Sequence, residues 1–320
     1  MEYTAVIRTL GMAGSKYQHL LDSLNIQSIK PNRIIVYIAK GYPIPQETIG
    51  KEEYVYVDKG MAAQRALGYD DVLTEYILFL DDDLLLPFNF VENCYKHLKE
   101  NDADVISPDI FQNNKRRFTS VIPFIVSGRM LPRYIDDKWG YKVLRSTGFS
   151  YRKCIDQDCY PSQTNAGACL FCKKDYFLKA HFEDELWVDI SPYALGEDQI
   201  LFYKMYKQGR KILTWYNSGI KHLDGGDNLN PEKEKRLIFS DFRFKTIFWH
   251  RFIFSTENSF FFKFIDCICI GYTFIFSMIA SLIKCRFDIL KIKCLAIDNG
   301  LSFIKSDEYK KLPKIKYYNE

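Results

Sequence analysis

The chain has 320 residues, 47% of them hydrophobic, enough to bury the core of one large domain or of one domain with an appendage. A net charge of +4, with no Lys/Arg block interleaved with stacking aromatics, gives no ground for a nucleic-acid binder. Nine cysteines at irregular spacing read as free thiols of a reducing compartment, and the N-terminus lacks the basic start, apolar run and cleavage site of a secretory signal, so the N-terminal part is expected in the cytoplasm. In chain order, residues 4–9 read as a first strand, Gly11 and Gly14 as a turn, and Ser15 as the cap of a helix to about residue 24. Pro31-Asn32 breaks the chain before the apolar run Arg33–Ala39, which completes a strand–helix–strand crossover of the parallel kind. Residues 54–58 are a third strand, 60–67 a short helix carrying Arg65, and 75–80 a fourth strand.

That fourth strand runs straight into Asp81-Asp82-Asp83. A strand buried on both faces that ends in acids suits the crevice at the C-terminal edge of an α/β sheet, where ligands bind. On an extended backbone Asp81 and Asp83 share one face while Asp82 turns away. Two close carboxylates repel unless a cation sits between them, and Mg²⁺ or Mn²⁺ completed by phosphate oxygens meets that need. The alternative is that Asp82 or Asp83 only caps a helix over residues 87–99. Neither a GxGxxG nor a GxxxxGK[ST] loop is present, so phosphates would have to be met by metal and side chains. Arg8, Lys59 and Arg65 are the available cations on or just after strand ends, although each such residue is more often a solvated surface charge.

Residues 103–108 form another strand, and the polar, aromatic stretch 113–158 is longer than an ordinary connection, as a binding insertion would be. Asn165-Ala-Gly-Ala168 is a small-residue turn that lets a ligand or another backbone approach, and it feeds a strand through Cys169 and Cys172, read as a buried strand edge rather than a zinc site. Gly196 precedes Glu197 and Asp198 at the start of a helix that stops at Gly209. Acids in a first turn favour the helix dipole, but one of the two would suffice. His222 follows the strand 211–215 in a glycine-rich loop, where a metal ligand or proton carrier could sit as readily as a structural imidazole.

Taken together, Val6-Ile-Arg-Thr9, the helix and strand through Ile38, Lys59-Gly-Met-Ala-Ala-Gln-Arg65, Asp81-Asp-Asp83, Glu197-Asp198 and His222 resemble the family 2 glycosyltransferases over roughly residues 3–225. The resemblance implies an α/β fold of GT-A type, a Rossmann-like mixed sheet flanked by helices. It implies that Asp83 and His222 hold a divalent Mn²⁺ or Mg²⁺ on the donor's diphosphate, that Asp81 contacts the metal or the ribose, and that Asp58 with Arg8 and Thr9 lines the nucleoside pocket. Lys59 and Arg65 join the donor site, Asp198 is the catalytic base, and Glu197 positions acceptor or nucleotide. The expected enzyme is an inverting, hexosyltransferase-type transferase that takes a nucleoside-diphosphate sugar and a glycan or glycolipid acceptor, with a role in cell-surface polysaccharide synthesis. One departure leaves the base of the nucleotide open: Ala39-Lys40-Gly41 stands where many members carry an acid. A nucleotidyltransferase, or a noncatalytic scaffold on the same fold, are the competing readings.

Beyond residue 227 the composition changes, so residues 1–227 are expected to form the nucleotide-sugar-binding catalytic domain and 228–320 a helical, aromatic-rich, membrane-associated region. Leu237, Phe244, Phe248 and Phe252 recur at near-helical spacing. Residues 267–283 carry no charge and as a helix would cover about 25 Å, short of a bilayer core of about 30 Å. Lys263 and Asp266 interrupt a longer run, and the lysine-rich tail prefers the cytoplasmic side. An embedded or interfacial helix at the inner face of the membrane is expected, with a buried core helix as the alternative. The sequence leaves the oligomeric state open.

Overall fold

The computed structural model describes residues 1–110, 139–144, 147–148, 150–152, 157–223 and 230–315. Among these described residues there are twelve strands: β1 Tyr3–Thr9, β2 Arg33–Ala39, β3 Glu52–Val57, β4 Tyr76–Asp81, β5 Leu84–Leu85, β6 Val105–Pro108, β7 Tyr141–Val143, β8 Ser150–Arg152, β9 Cys159–Ser162, β10 Cys169–Lys173, β11 Ile212–Trp215 and β12 Lys221–His222. Eight of them form one sheet in the order β3-β2-β1-β4-β10-β6-β11-β9. β1 pairs in parallel with β2 and β4, whereas β10 runs antiparallel to both β4 and β6. The sheet is therefore mixed, as expected.

Alternation along the strands builds two layers. Ala5 and Ile7 of β1, with Val36 and Leu78, pack against helices α1 (Ser15–Asn25) and α3 (Phe90–Glu100). Val6, Ile35, Ile77 and Phe79 face the opposite way, toward α2 (Met61–Arg65), α4 (Lys174–Leu178), a 3₁₀ segment Phe182–Ile190 and α5 (Glu197–Lys207). Interior parallel strands buried on both faces need continuous apolar runs, and β1, β2 and β4 supply them.

Three local expectations are corrected. Ser15 is the first residue of α1 rather than its cap; the helix is entered from Gly14 at φ 59°, and no side chain caps it. Cys169 and Cys172 lie in β10, an interior strand between β4 and β6, rather than at an edge. His222 sits in the short strand β12, paired with β5, rather than in a loop. The insertion expected over 113–158 falls largely outside the described residues, as does the proposed boundary at 227.

The C-terminal helices are α6 (Pro231–Phe248, continued by a π turn Trp249–Ile253), α7 (Phe260–Ile283), α8 (Phe287–Lys305) and α9 (Asp307–Lys311). Phe244, Phe248 and Phe252, one turn apart, join the apolar cluster on that face of the sheet, Phe244 beside Trp187 and Phe248 and Phe252 beside Tyr203. Glu185, fully buried, ties the region down: its carboxylate accepts hydrogen bonds from Arg251 at 2.8 Å and from Trp187 Nε1 at 2.7 Å, and pairs with Lys204 at 3.1 Å. α7 starts earlier than the uncharged run suggested. Ser259 caps it, Lys263 and buried Asp266 lie inside it, and its 24 residues cover about 36 Å. By length and composition it could cross a membrane, and only 28% of its most apolar window is buried, which the core-helix alternative does not fit.

Candidate active site

The register of β1 on β4 sets Arg8 beside Asp81 at the C-terminal edge of the sheet. Arg8 Nη2 lies 2.7 Å from Asp81 Oδ1, and the Thr9 hydroxyl donates to Asp82. Because β4 ends at Asp81, the alternation that would put Asp83 on Asp81's face stops there. The chain turns into β5, and the β5–β12 pairing brings His222 Nε2 within 3.2 Å of Asp83 Oδ1. The three aspartates thus have three different partners. None caps α3, whose N-terminus follows Asn89. Asp83 Oδ1 is buried without a hydrogen bond and faces the imidazole, a carboxylate-plus-imidazole pair of the kind a divalent cation takes.

The second half of the site is built on α2 and α5. The backbone N–H groups of Ala62 and Ala63 donate to the Asp189 carboxylate at 3.0 and 2.8 Å, which anchors the start of α2 to the 3₁₀ segment. Gly60 makes room, since a Cβ there would overlap that carboxylate. α2 then delivers Arg65, 1% exposed, onto Glu197: Nη2 donates to Oε1 at 3.0 Å and Nε to Oε2. Arg65 Nη2 also donates to the Gly167 carbonyl at 2.9 Å, and Arg8 Nη1 approaches Glu197 at 3.9 Å. Gly167 takes part because it lacks a side chain; a Cβ would stand 2.7 Å from Asp198 Cβ. Its N–H donates to Asp198 Oδ2 at 3.2 Å, and the Gln199 N–H donates to Oδ1 at 2.8 Å.

Charge explains the division of labour. Arg8 and Arg65 balance Asp81 and Glu197; Asp82, Asp83 and Asp198 are the carboxylates left over, and of these Asp198 alone stands beside Glu197 at the start of α5. Burial raises the pKa of Asp198, opposed by the charge of Arg65 and by its two backbone donors. Burial also raises that of Glu197, against the pull of Arg65 and Arg8. Asp82 is pushed up to about 6 by burial, with the Thr9 hydroxyl pulling it down and its two aspartate neighbours adding to the rise. Burial alone would lower the pKa of Arg8, but Asp81 and Glu197 outweigh it and hold the guanidinium charged.

Of the residues singled out in the sequence, the structure joins Arg8, Thr9, Arg65, Asp81, Asp83, Glu197, Asp198 and His222 along this edge. The surface alternative does not hold for Arg8 and Arg65, both buried. Asp58 and Lys59 stand apart: Asp58 is exposed and paired with Lys40 at 2.8 Å, and exposed Lys59 donates to the Tyr42 hydroxyl at 2.6 Å. Sequence reasoning missed Asp189 and the Arg65–Glu197 pair, whose partners are more than a hundred residues apart. It also missed a cluster at the β9–β11 edge, where His97, Asp158 and Cys159 offer ligand atoms within 4.8 Å of one another.

Comparison with known proteins agrees with this architecture. Residues 53–177 match glycosyl transferase family 2. Over 202 residues the chain is 25% identical to Glycosyltransferase GlyA of Streptococcus pneumoniae serotype 4 (strain ATCC BAA-334 / TIGR4), an alignment that covers 60% of this chain and 26% of that protein. The chain thus spans about a quarter of the length of the curated relative it matches. The mixed eight-stranded sheet flanked by helices is of the GT-A type. Residues 53–177 are thus similar to a family 2 glycosyltransferase domain, and the wider alignment is to a glycosyltransferase.

Proposed function

We propose that the chain is an inverting transferase that moves a sugar from a nucleoside-diphosphate sugar to a hydroxyl of a glycan or lipid-linked acceptor at the cytoplasmic face of a membrane. The observation that carries this reading is Asp198: a half-buried carboxylate beside the crevice, held by two backbone N–H groups rather than by an arginine. A carboxylate placed so takes the proton of the acceptor hydroxyl as its oxygen bonds to the anomeric carbon. The bond from that carbon to the diphosphate breaks on the opposite side of the ring, its electron pair leaving with the nucleoside diphosphate, so the configuration inverts.

Asp83 and His222 would hold Mn²⁺ or Mg²⁺, which when bound offsets the charge growing on the departing diphosphate. Arg8 and Thr9, steadied by Asp81 and Asp82, would wall the nucleoside pocket. Both oxygens of Glu197 are engaged by Arg65, so Glu197 acts through the arginines as a positioning residue.

A panel of sugar nucleotides with Mn²⁺, scored for nucleoside diphosphate release by slow hydrolysis, tests the donor half without an acceptor. One donor should release diphosphate well above the rest, and chelation should abolish the release. If the folded protein releases nucleoside diphosphate from no member of the panel, the transferase reading fails. Release of pyrophosphate instead would point to nucleotidyl transfer.

A further inference from the structure

α7 has its polarity inside out. Phe261, Phe264, Ile268, Ile275, Ile279 and Leu282, each 40–65% exposed, succeed one another at intervals of three, four or seven residues, so they form a single outward stripe about 32 Å long. The inward face is the polar one: Asp266, Thr273 and Ser281 are buried, and Lys293 of α8 donates to Ser277 Oγ at 2.9 Å and to Ser281 Oγ at 2.8 Å. A helix against water would turn these residues the other way, and a continuous exposed apolar surface marks an interaction site.

The occupant follows from the stripe's chemistry. No charged side chain interrupts residues 267–283, while Lys263 and Lys284 bracket the stripe at its two ends. A partner protein would be met by several placed polar groups that fix a register, whereas this face offers the hydroxyl of half-buried Tyr272 alone. A fluid apolar phase beneath anionic headgroups fits both the bare stripe and its flanking cations. Although α7 is long enough to cross the bilayer, it is held against the protein at points from Asp266 to Ser281. Asp266 is buried near one end and Ser281 near the other, and just beyond, Arg286 pairs with Glu234 of α6 at 2.9 Å. To span, α7 would have to detach from α8 or draw that charged helix into lipid, with its Lys291, Lys293, Asp298 and Lys305. We infer that α7 lies in the plane of the membrane, its stripe sunk into one leaflet of an anionic bilayer, with both of its ends on the same side. This deepens, and rests on, the reading of an enzyme at a membrane face.

The full chain floated with vesicles of phosphatidylcholine containing phosphatidylglycerol tests it, together with mass-spectrometric mapping of Cys285, exposed just past α7, after treatment with a membrane-impermeant maleimide. The protein should float, and Ile268→Glu/Ile275→Glu should lower the partition at least about tenfold with unchanged circular dichroism. Leu73→Glu, at an exposed apolar residue on no such stripe, should float like the wild type. Cys285 should be labelled on intact vesicles. Flotation undiminished in the double variant, or Cys285 protected until detergent is added, overturns the in-plane helix and leaves the membrane reading standing. A wild-type protein that stays in solution, as monomer or as a dimer covering this face, overturns both.

Discussion

In the proposed mechanism Asp198 is the base that takes the acceptor's proton. To accept a proton it must be ionised, and burial raises its pKa above the ordinary aspartate value of about 3.9. The transfer rate should therefore climb with pH through a pKa above that range and be lost as pH falls below it. A rate that holds flat on the acid side down to the ordinary aspartate range would remove Asp198 from the role. The Arg65–Glu197 pair makes a different prediction. Arg65→Met leaves Glu197, 4% exposed, without its main partner and should cost about 3–5 kcal/mol in urea denaturation, most of it recovered by adding Glu197→Leu. Equal losses in the single and double variants would mean that the pair is not the source. At this scale the sequence told only part of the story. The acids at 81–83 and 197–198 and the imidazole at 222 could be picked out as candidates from their residue types and from their places after strand ends and at a helix start. Their partners were not: Thr9 with Asp82, or Asp189 with α2, meet only through the sheet, and nothing near them in the chain announces it.

The elements that carry these residues rest on a few close approaches. Gly196 enters α5 at φ 81°, and a Cβ there would overlap the Phe244 ring of α6. Gly196→Ala should then cost about 2–4 kcal/mol from the left-handed backbone and the displaced ring together, and should lower transfer by shifting Asp198. A melting curve and a rate both like the wild type would show that the contact is slack. The strands, the helix–strand crossover and the start of α5 could be read from periodicity and from Gly and Pro punctuation. The end of β4 could not be read so finely. An extended chain through Asp83 and a turn after Asp81 have the same local sequence, and only the pairing of β5 with β12 selects the turn, which aims Asp83 at His222 instead of at Asp81's face. The start of α7 was also misjudged, because a buried Asp266 and a Lys263 set over the Phe254 ring do not break a helix that has a protein surface to receive them.

On the scale of the whole molecule, the α/β sheet and the C-terminal helices share one apolar cluster, in which Phe244 and Phe248 touch the backbone at Gly196 and Gly148. The helix that meets the proposed membrane is packed against the helix whose Phe244 ring covers Gly196, through Phe242 and Phe274 at 5.7 Å. Composition showed that the tail was different but not that it completed the core, since amphipathic spacing alone does not say what a helix covers. The account stands or falls on one carboxylate in this frame. Purified Asp198→Asn should bind the donor nucleotide with Mn²⁺ as tightly as the wild type, measured by calorimetry, and should lose on the order of 10²-fold or more in transfer to acceptor. Wild-type turnover in that folded variant would contradict the account.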